Sequence, residues 1–135
     1  MEIEASDRTL AEGKKEAAPA GVKRNEKLLK LTKERLDAAT EEWDERFKLF
    51  RAGQGTLDCL LGASRRLLQA QAELGVNNAD KVAGLAAQAK RMKGLDEMIQ
   101  RLFATGQARK CDAAQAKYCY LEAQIMLERA KNAGK

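Results

Sequence analysis

Apolar residues recur along this chain at intervals of three, four and seven, in four separate runs. Between residues 23 and 52, Leu29, Leu36, Trp43 and Phe50 are spaced by seven, Thr32, Ala39 and Phe47 fill the adjoining positions, and charges cover the rest. That is a heptad stripe, which predicts a helix with one buried seam. A second run, 57–74, carries Leu57, Leu60, Leu61, Ser64, Leu67, Leu68, Gln71 and Leu74. A third, 79–104, carries Val82, Leu85, Ala89, Met92, Leu95, Ile99, Leu102 and Phe103. A fourth, 109–132, has Ala114, Tyr118, Leu121 and Ile125, with Met126 or Leu127, as its expected inner stripe. The breaks between runs are rich in turn formers. Gly53 can take the left-handed conformation that closes a helix, and Thr56 can cap the next. Gly75 stops the second run and Asn78 is the expected N-cap of the third. Thr105-Gly106-Gln107 ends the third. Residues 1–22 have few apolar positions and contain Gly13, Pro19 and Gly21, which predicts a flexible polar tail with its boundary near Pro19.

The runs repeat. A shift of 53 residues lays Phe50-Arg51-Ala52-Gly53-Gln54 on Phe103-Ala104-Thr105-Gly106-Gln107, and Leu68, Ala70, Gln71 and Leu74 on Leu121, Ala123, Gln124 and Leu127. The helical domain, 23–135, therefore reads as two repeats, 23–75 and 76–135, each a long helix, an F-x-x-G-Q turn and a second helix. The expected fold is all-α: two antiparallel helical hairpins forming a four-helix bundle or a coiled-coil-like assembly.

Composition agrees and narrows the chemistry. The chain of 135 residues has one Pro, no His and six aromatic residues, with 33% charged residues. Without His it lacks the commonest general base and the commonest zinc ligand. Cys59, Cys111 and Cys119 form no C-x-x-C pair, and their expected role is as small apolar fillers. Glu41, Glu42, Asp44 and Glu45 would fan around a helix rather than converge. No catalytic, cofactor-binding or metal-ligating set emerges, and the expectation is a protein that is not an enzyme and carries no cofactor. No apolar run approaches the ~20 residues that a membrane helix needs. The N-terminus shows no basic and apolar signal pattern, so the sequence as written predicts a cytoplasmic location. Charge is balanced through residue 75, with an excess in the second half: five bases against three acids over 76–104, and six against three over 105–135. Binding of nucleic acid or another anionic surface through that half is the alternative function, although acids and bases mostly alternate.

The turn and the helix after it, from Phe50 through Gly53, Thr56, Asp58 and Leu61 to Ala70-Gln71, resemble the hairpin of the TolC-like outer-membrane efflux proteins. That family also has two repeats per chain, with an aromatic, a Gly three residues on, then a Ser or Thr. Phe103 and Gly106 match in the second copy. The family's Asp, six residues after the Gly, corresponds to Asp112 there and lies one position from Asp58 in the first copy. Arg109 stands where the family has its capping Ser or Thr. The resemblance covers roughly residues 33–130. It implies a helical hairpin of a periplasmic tunnel whose turns meet an adaptor protein, and a periplasmic location if this chain is part of such a protein. No alternating strand of ~9–11 residues suited to a barrel is visible, so it implies a hairpin module rather than a pore.

The expected function is therefore structural or protein-interaction, with a protein partner or self-association. The candidate contact residues are Phe50, Gly53, Thr56, Asp58, Leu61, Phe103, Gly106 and Asp112. The residues themselves also admit a purely structural role. Gly53 and Gly106 lie where the chain reverses, Phe50 and Phe103 would seal the end of the core, and Asp58 and Asp112 suit helix N-termini.

Overall fold

A computed structural model describes residues 19–134, with side chains from Asn25 onward. Four helices follow one another: α1 (Pro19–Arg51), α2 (Leu57–Leu74), α3 (Asn78–Ala104) and α4 (Lys110–Ala133). No strand occurs among the described residues, and the fold is all-α. Pro19 is the first residue of α1, a position where its missing N–H costs nothing. Residues 19–22, expected in the polar tail, thus belong to the helix; the rest of that expected tail lies outside the described residues.

The helix starts follow from side-chain caps. Thr56 Oγ1 accepts the Cys59 N–H at 3.2 Å and opens α2. The cap of α3 is Asn77, one residue earlier than expected: its Oδ1 accepts the Asp80 N–H at 2.9 Å, while Asp80 Oδ2 accepts the Val76 N–H at 3.0 Å. Asn77 lies three residues before that amide, the spacing a cap requires. Asn78 instead donates its side-chain amide to the Ala130 carbonyl on α4 at 3.3 Å.

The chain divides into two units, Met1–Glu34 and Arg35–Lys135. The described part of the first is the leading stretch of α1, where Leu28, Leu29 and Leu31 are all exposed. Leu29 was expected in the buried seam, but its unit holds no second helix among the described residues.

The second unit contains the core. Trp43 and Ala39 from α1, Leu60, Leu61 and Leu67 from α2, Met92, Leu95 and Ile99 from α3, and Ala116, Cys119 and Ala123 from α4 form one cluster. Each fully buried Leu or Ile contributes about 1.5–3 kcal/mol. Polar contacts fix the order of packing. Arg66 and Arg35 of α2 and α1 pair with Glu42 and Glu73 on the opposite helix, which makes α1 and α2 an antiparallel hairpin. Asn78 to Ala130, and Gln100 Nε2 to the Ala113 carbonyl at 3.0 Å, do the same for α3 and α4. Between the hairpins, buried Gln88 of α3 donates to the Ser64 hydroxyl of α2, and half-buried Arg91 donates to Gln71 Oε1 at 3.2 Å.

The packing of α4 overturns its expected stripe. Its buried residues are Ala113, Ala116, Cys119, Ala123 and Ala130, so the inner seam is a row of small residues, with Ala116, Ala123 and Ala130 at heptad spacing. Their size lets the α4 backbone approach α3, and this pair has the most extensive backbone contact in the structure. Met92, Leu95 and Ile99 of α3 supply the bulk. Tyr118 (66% exposed), Leu121 (47%) and Ile125 (51%) consequently lie on the outer face. Of the expected inner set, Leu127 alone packs against the core.

Candidate functional site

Both hairpin turns close with the same hydrogen bonds. In the first, Gly53 N–H donates to the Phe50 carbonyl at 3.0 Å and Gln54 N–H to the Leu49 carbonyl at 2.8 Å. In the second, Gly106 N–H donates to the Phe103 carbonyl at 3.0 Å and Gln107 N–H to the Leu102 carbonyl at 2.7 Å. This pair of bonds is the Schellman motif, which needs a left-handed residue just past the helix. Gly53 and Gly106 supply it, with φ of 84° and 78°. The repeated F-x-x-G-Q thus encodes one backbone reversal used twice.

The copies then diverge. Phe50 is half-buried and packs against the core, as expected of a residue sealing the bundle end. Phe103 is 41% exposed, and Leu102 takes the inward position instead. The inner arc at the end of α3 is set by Leu95, Ile99 and Leu102, at i, i+4 and i+7, and the next residue on is rotated by about 100° from that row. Phe103 therefore does not seal the core.

The second helix of each hairpin is started differently too. Thr56 caps α2 with its hydroxyl. Arg109 precedes α4 and has no side-chain acceptor to offer, so Asp112 does the work from within the helix. Its carboxylate accepts the Arg109 backbone N–H at 3.3 Å and also the Arg109 guanidinium, at 3.1 and 3.2 Å. Those bonds lower the Asp112 pKa from its ordinary value. Asp58, also exposed, accepts from Gln115 Nε2 of α4 at 3.0 Å. This contact joins the starts of α2 and α4, so both turns sit at one end of the second unit.

Of the candidate contact residues, Gly53, Thr56, Asp58, Phe103 and Gly106 are exposed at that end, and Asp112 is half-exposed. Leu61 is 1% exposed and belongs to the core; its contribution is packing, not contact. Asp58, Thr56 and Asp112 each have a structural task as cap or bridge.

No constellation for chemistry accompanies them. Cys59 and Cys111 are exposed free thiols near the starts of α2 and α4, and Cys119 is buried on the α4 seam, where desolvation pushes its thiol pKa up. No group of three or more His, Cys, Asp or Glu among the described residues could hold a metal. No helix among them is long and apolar enough to cross a membrane. The most perturbed carboxylate lies elsewhere: Glu42 on α1 is gripped by Arg66, at 2.8 and 2.6 Å, and by Arg46 at 2.8 Å. These bonds hold its pKa down to about 2. It joins α1 to α2 and has a structural explanation.

Two surface features were missed at the level of sequence. One is the outer face of α4, which its 3–4 spacing assigned to the core. The other is an open trench between α2 and α4, which depends on the spacing of two helices that are not adjacent in the chain. No family model, curated protein or solved structure matches this chain.

Proposed function

We propose that the chain is a non-enzymatic, protein-interaction helical-hairpin module. The observation that carries this reading is that α4 is apolar on two opposite faces. Its small residues are spent on the core, while Tyr118, Leu121 and Ile125 form a row on the outside. Large apolar side chains in a contiguous row cost solubility unless a partner covers them. Tyr118 adds an aromatic ring with a polar tip, a residue type favoured in interfaces. The two turns at one end offer a second contact region, and the resemblance to TolC-like hairpins favours that end as the place where an adaptor-like protein would dock. In that reading, Phe103, Gln54 and Gln107 are among the exposed side chains available at the tip.

Sedimentation equilibrium and chemical crosslinking in the native host test the proposal. The wild-type chain should self-associate or crosslink to one discrete partner. Changing Tyr118 and Leu121 to Lys should abolish that contact without loss of helix content if α4 is the docking face. Changing Phe103 to Lys, with Gln54 and Gln107 to Glu, should abolish it if the tip docks. A strictly monomeric wild type with no crosslinked partner would overturn the reading.

A further inference from the structure

The second unit carries a trench away from the hairpin turns and beside the far end of the α4 row, where Arg129 lies one helical turn beyond Ile125. Its walls are the later part of α2 and the last turns of α4, and its floor is the start of α3. It encloses about 580 Å³ and is open to solvent along one side. Leu68, Leu85, Met126 and Ala130 give it an apolar lining. Ala72, Gly84 and Ala133 are small enough to let another backbone approach. Three cations stand on its edge, one from each helix: Arg65, Lys81 and Arg129. None of the three is ion-paired among the described residues. The one carboxylate there, Asp80, is bonded to the Val76 N–H at the start of α3.

We propose that this trench binds an acidic amphipathic helix of a partner protein. The walls run from Arg65 to Ala72 and from Met126 to Ala133, so each covers eight residues, about 10 Å of helix from first to last. That span accepts apolar anchors at i, i+4 and i+7 of a docked helix. An open, two-walled trench with small residues in it suits a helix better than an acyl chain, which would be covered more fully by an enclosed pocket. The edge then selects sign. Three cations with no ion pair among the described residues complement carboxylates flanking the partner's apolar strip, and they disfavour a basic helix.

A displayed library tests this directly. Helices of about 16 residues would carry Leu at i, i+4 and i+7, with the flanking positions randomised among Asp, Glu, Lys, Arg and Ser. Selection against the full chain should enrich Asp and Glu at the flanks. Selected peptides should lose roughly tenfold in affinity on the R65E/R129E double variant, and a similar factor when NaCl is raised from about 50 to about 500 mM. Arg65 and Arg129 are exposed, so the double variant should melt like the wild type; the single variant Lys81→Glu provides an independent reading if it does not. Binding should survive Tyr118→Lys, which lies off the trench. Failure to select any binder, enrichment of Lys and Arg, or binders indifferent to R65E/R129E would overturn the proposal. So would stoichiometric, arginine-dependent binding of dodecanoate without selection of acidic helices.

Discussion

The two hairpins reverse through the same Schellman hydrogen bonds, yet their arms are joined by different chemistry. The arms of α3 and α4 meet on alanines, with Ala116, Ala123 and Ala130 letting the backbones come close enough for Met92, Leu95 and Ile99 to fill the seam. The arms of α1 and α2 meet through long side chains. Within α1, Trp43 stacks on Phe47 with ring centroids 5.4 Å apart and Arg51 lies over the Phe47 ring at 5.2 Å; between the arms, Arg66–Glu42 and Arg35–Glu73 bridge the outer edge. A turn motif can thus be duplicated without duplicating the interface behind it, because the motif fixes only the backbone reversal. Side-chain size then sets the separation of the arms. Large side chains and partly exposed ion pairs hold α1 with fewer close backbone contacts, so the first hairpin should be the easier one to open.

The most severe test removes the largest side chain of the first hairpin. Trp43→Ala empties a buried site and removes the Phe47 stacking, which should cost about 3–4 kcal/mol in urea unfolding. If the first hairpin is the weaker, the loss should concern α1 rather than the helices behind it. In the wild type, the single Trp lies on α1 and reports the packing of that helix against the shared core. Its fluorescence should change at lower urea than the far-UV circular dichroism, which follows all four helices. Coincident transitions would show instead that both hairpins unfold as one cooperative unit.

The second hairpin should fail in the opposite sense, by overfilling. Ala116→Leu places a side chain with three additional carbons at a position only 1% exposed, facing the α3 seam. The helices must separate or the rotamers must strain, at about 2–3 kcal/mol. The same substitution at exposed Ala38 of α1 should change stability by less than about 0.5 kcal/mol, because nothing there is displaced. Equal effects at the two positions would contradict the close approach of α3 and α4.

How much of this was legible in the sequence depends on what each feature needs. The helices needed only local periodicity and punctuation, so α2 falls at Leu57–Leu74 as its spacing and flanking Gly75 predict, and α3 and α4 start within a residue of expectation. The turns needed only local geometry, and F-x-x-G-Q shows it twice. The inner face of α4 needed more. Ala114, Tyr118, Leu121 and Ile125 give a better hydrophobic stripe than the alanines do, and a rule that places the largest apolar residues inside chooses the wrong face. Only the proximity of α3 makes small residues the better fit. Leu61 was legible as apolar and in register, but its burial excludes it from the contact surface that the motif suggested. The trench could not be read at all, since α2 and α4 are separated by the whole of α3.

The shared turn predicts equality where the arms predict difference. Gly53 and Gly106 both have positive φ, and a Cβ added at either would meet nothing within 4 Å. Substitution by Ala therefore tests backbone strain without steric conflict. Gly53→Ala and Gly106→Ala should each cost about 1–2 kcal/mol, with the two values within about 0.5 kcal/mol of each other in thermal or urea unfolding. A large difference would mean that the arms, and not the local turn, set the cost.

The smallest effect separates the hairpins by pH. Glu42 titrates near 2 in the folded chain, chiefly because of its hydrogen bonds to Arg66 and then to Arg46, against an ordinary value of 4.5 when unfolded. A carboxylate whose folded pKa is depressed favours the folded state above its unfolded pKa and loses that advantage as pH falls toward the folded one. Stability should therefore decline between about pH 4.5 and pH 2, and the decline should involve the α1–α2 contact. Because both arginines and part of the carboxylate are solvated, screening leaves about 1 kcal/mol of what the full shift would imply. Glu42→Gln keeps the shape and removes the titration, so the variant should be slightly less stable at neutral pH and show a flatter acid limb in the Trp43 fluorescence transition. Asp112 is lowered in the same direction by Arg109, but it acts at the start of α4, outside the arm interface. Asp112→Asn should leave the Trp43 transition unmoved while weakening the first turn of α4, measurable as faster amide exchange at Asp112 and Ala113, whose N–H groups donate to the Arg109 carbonyl. If Asp112→Asn flattened the Trp43 acid limb as strongly as Glu42→Gln, the two hairpins would be coupled at their shared end, and the independence argued from their different seams would not hold.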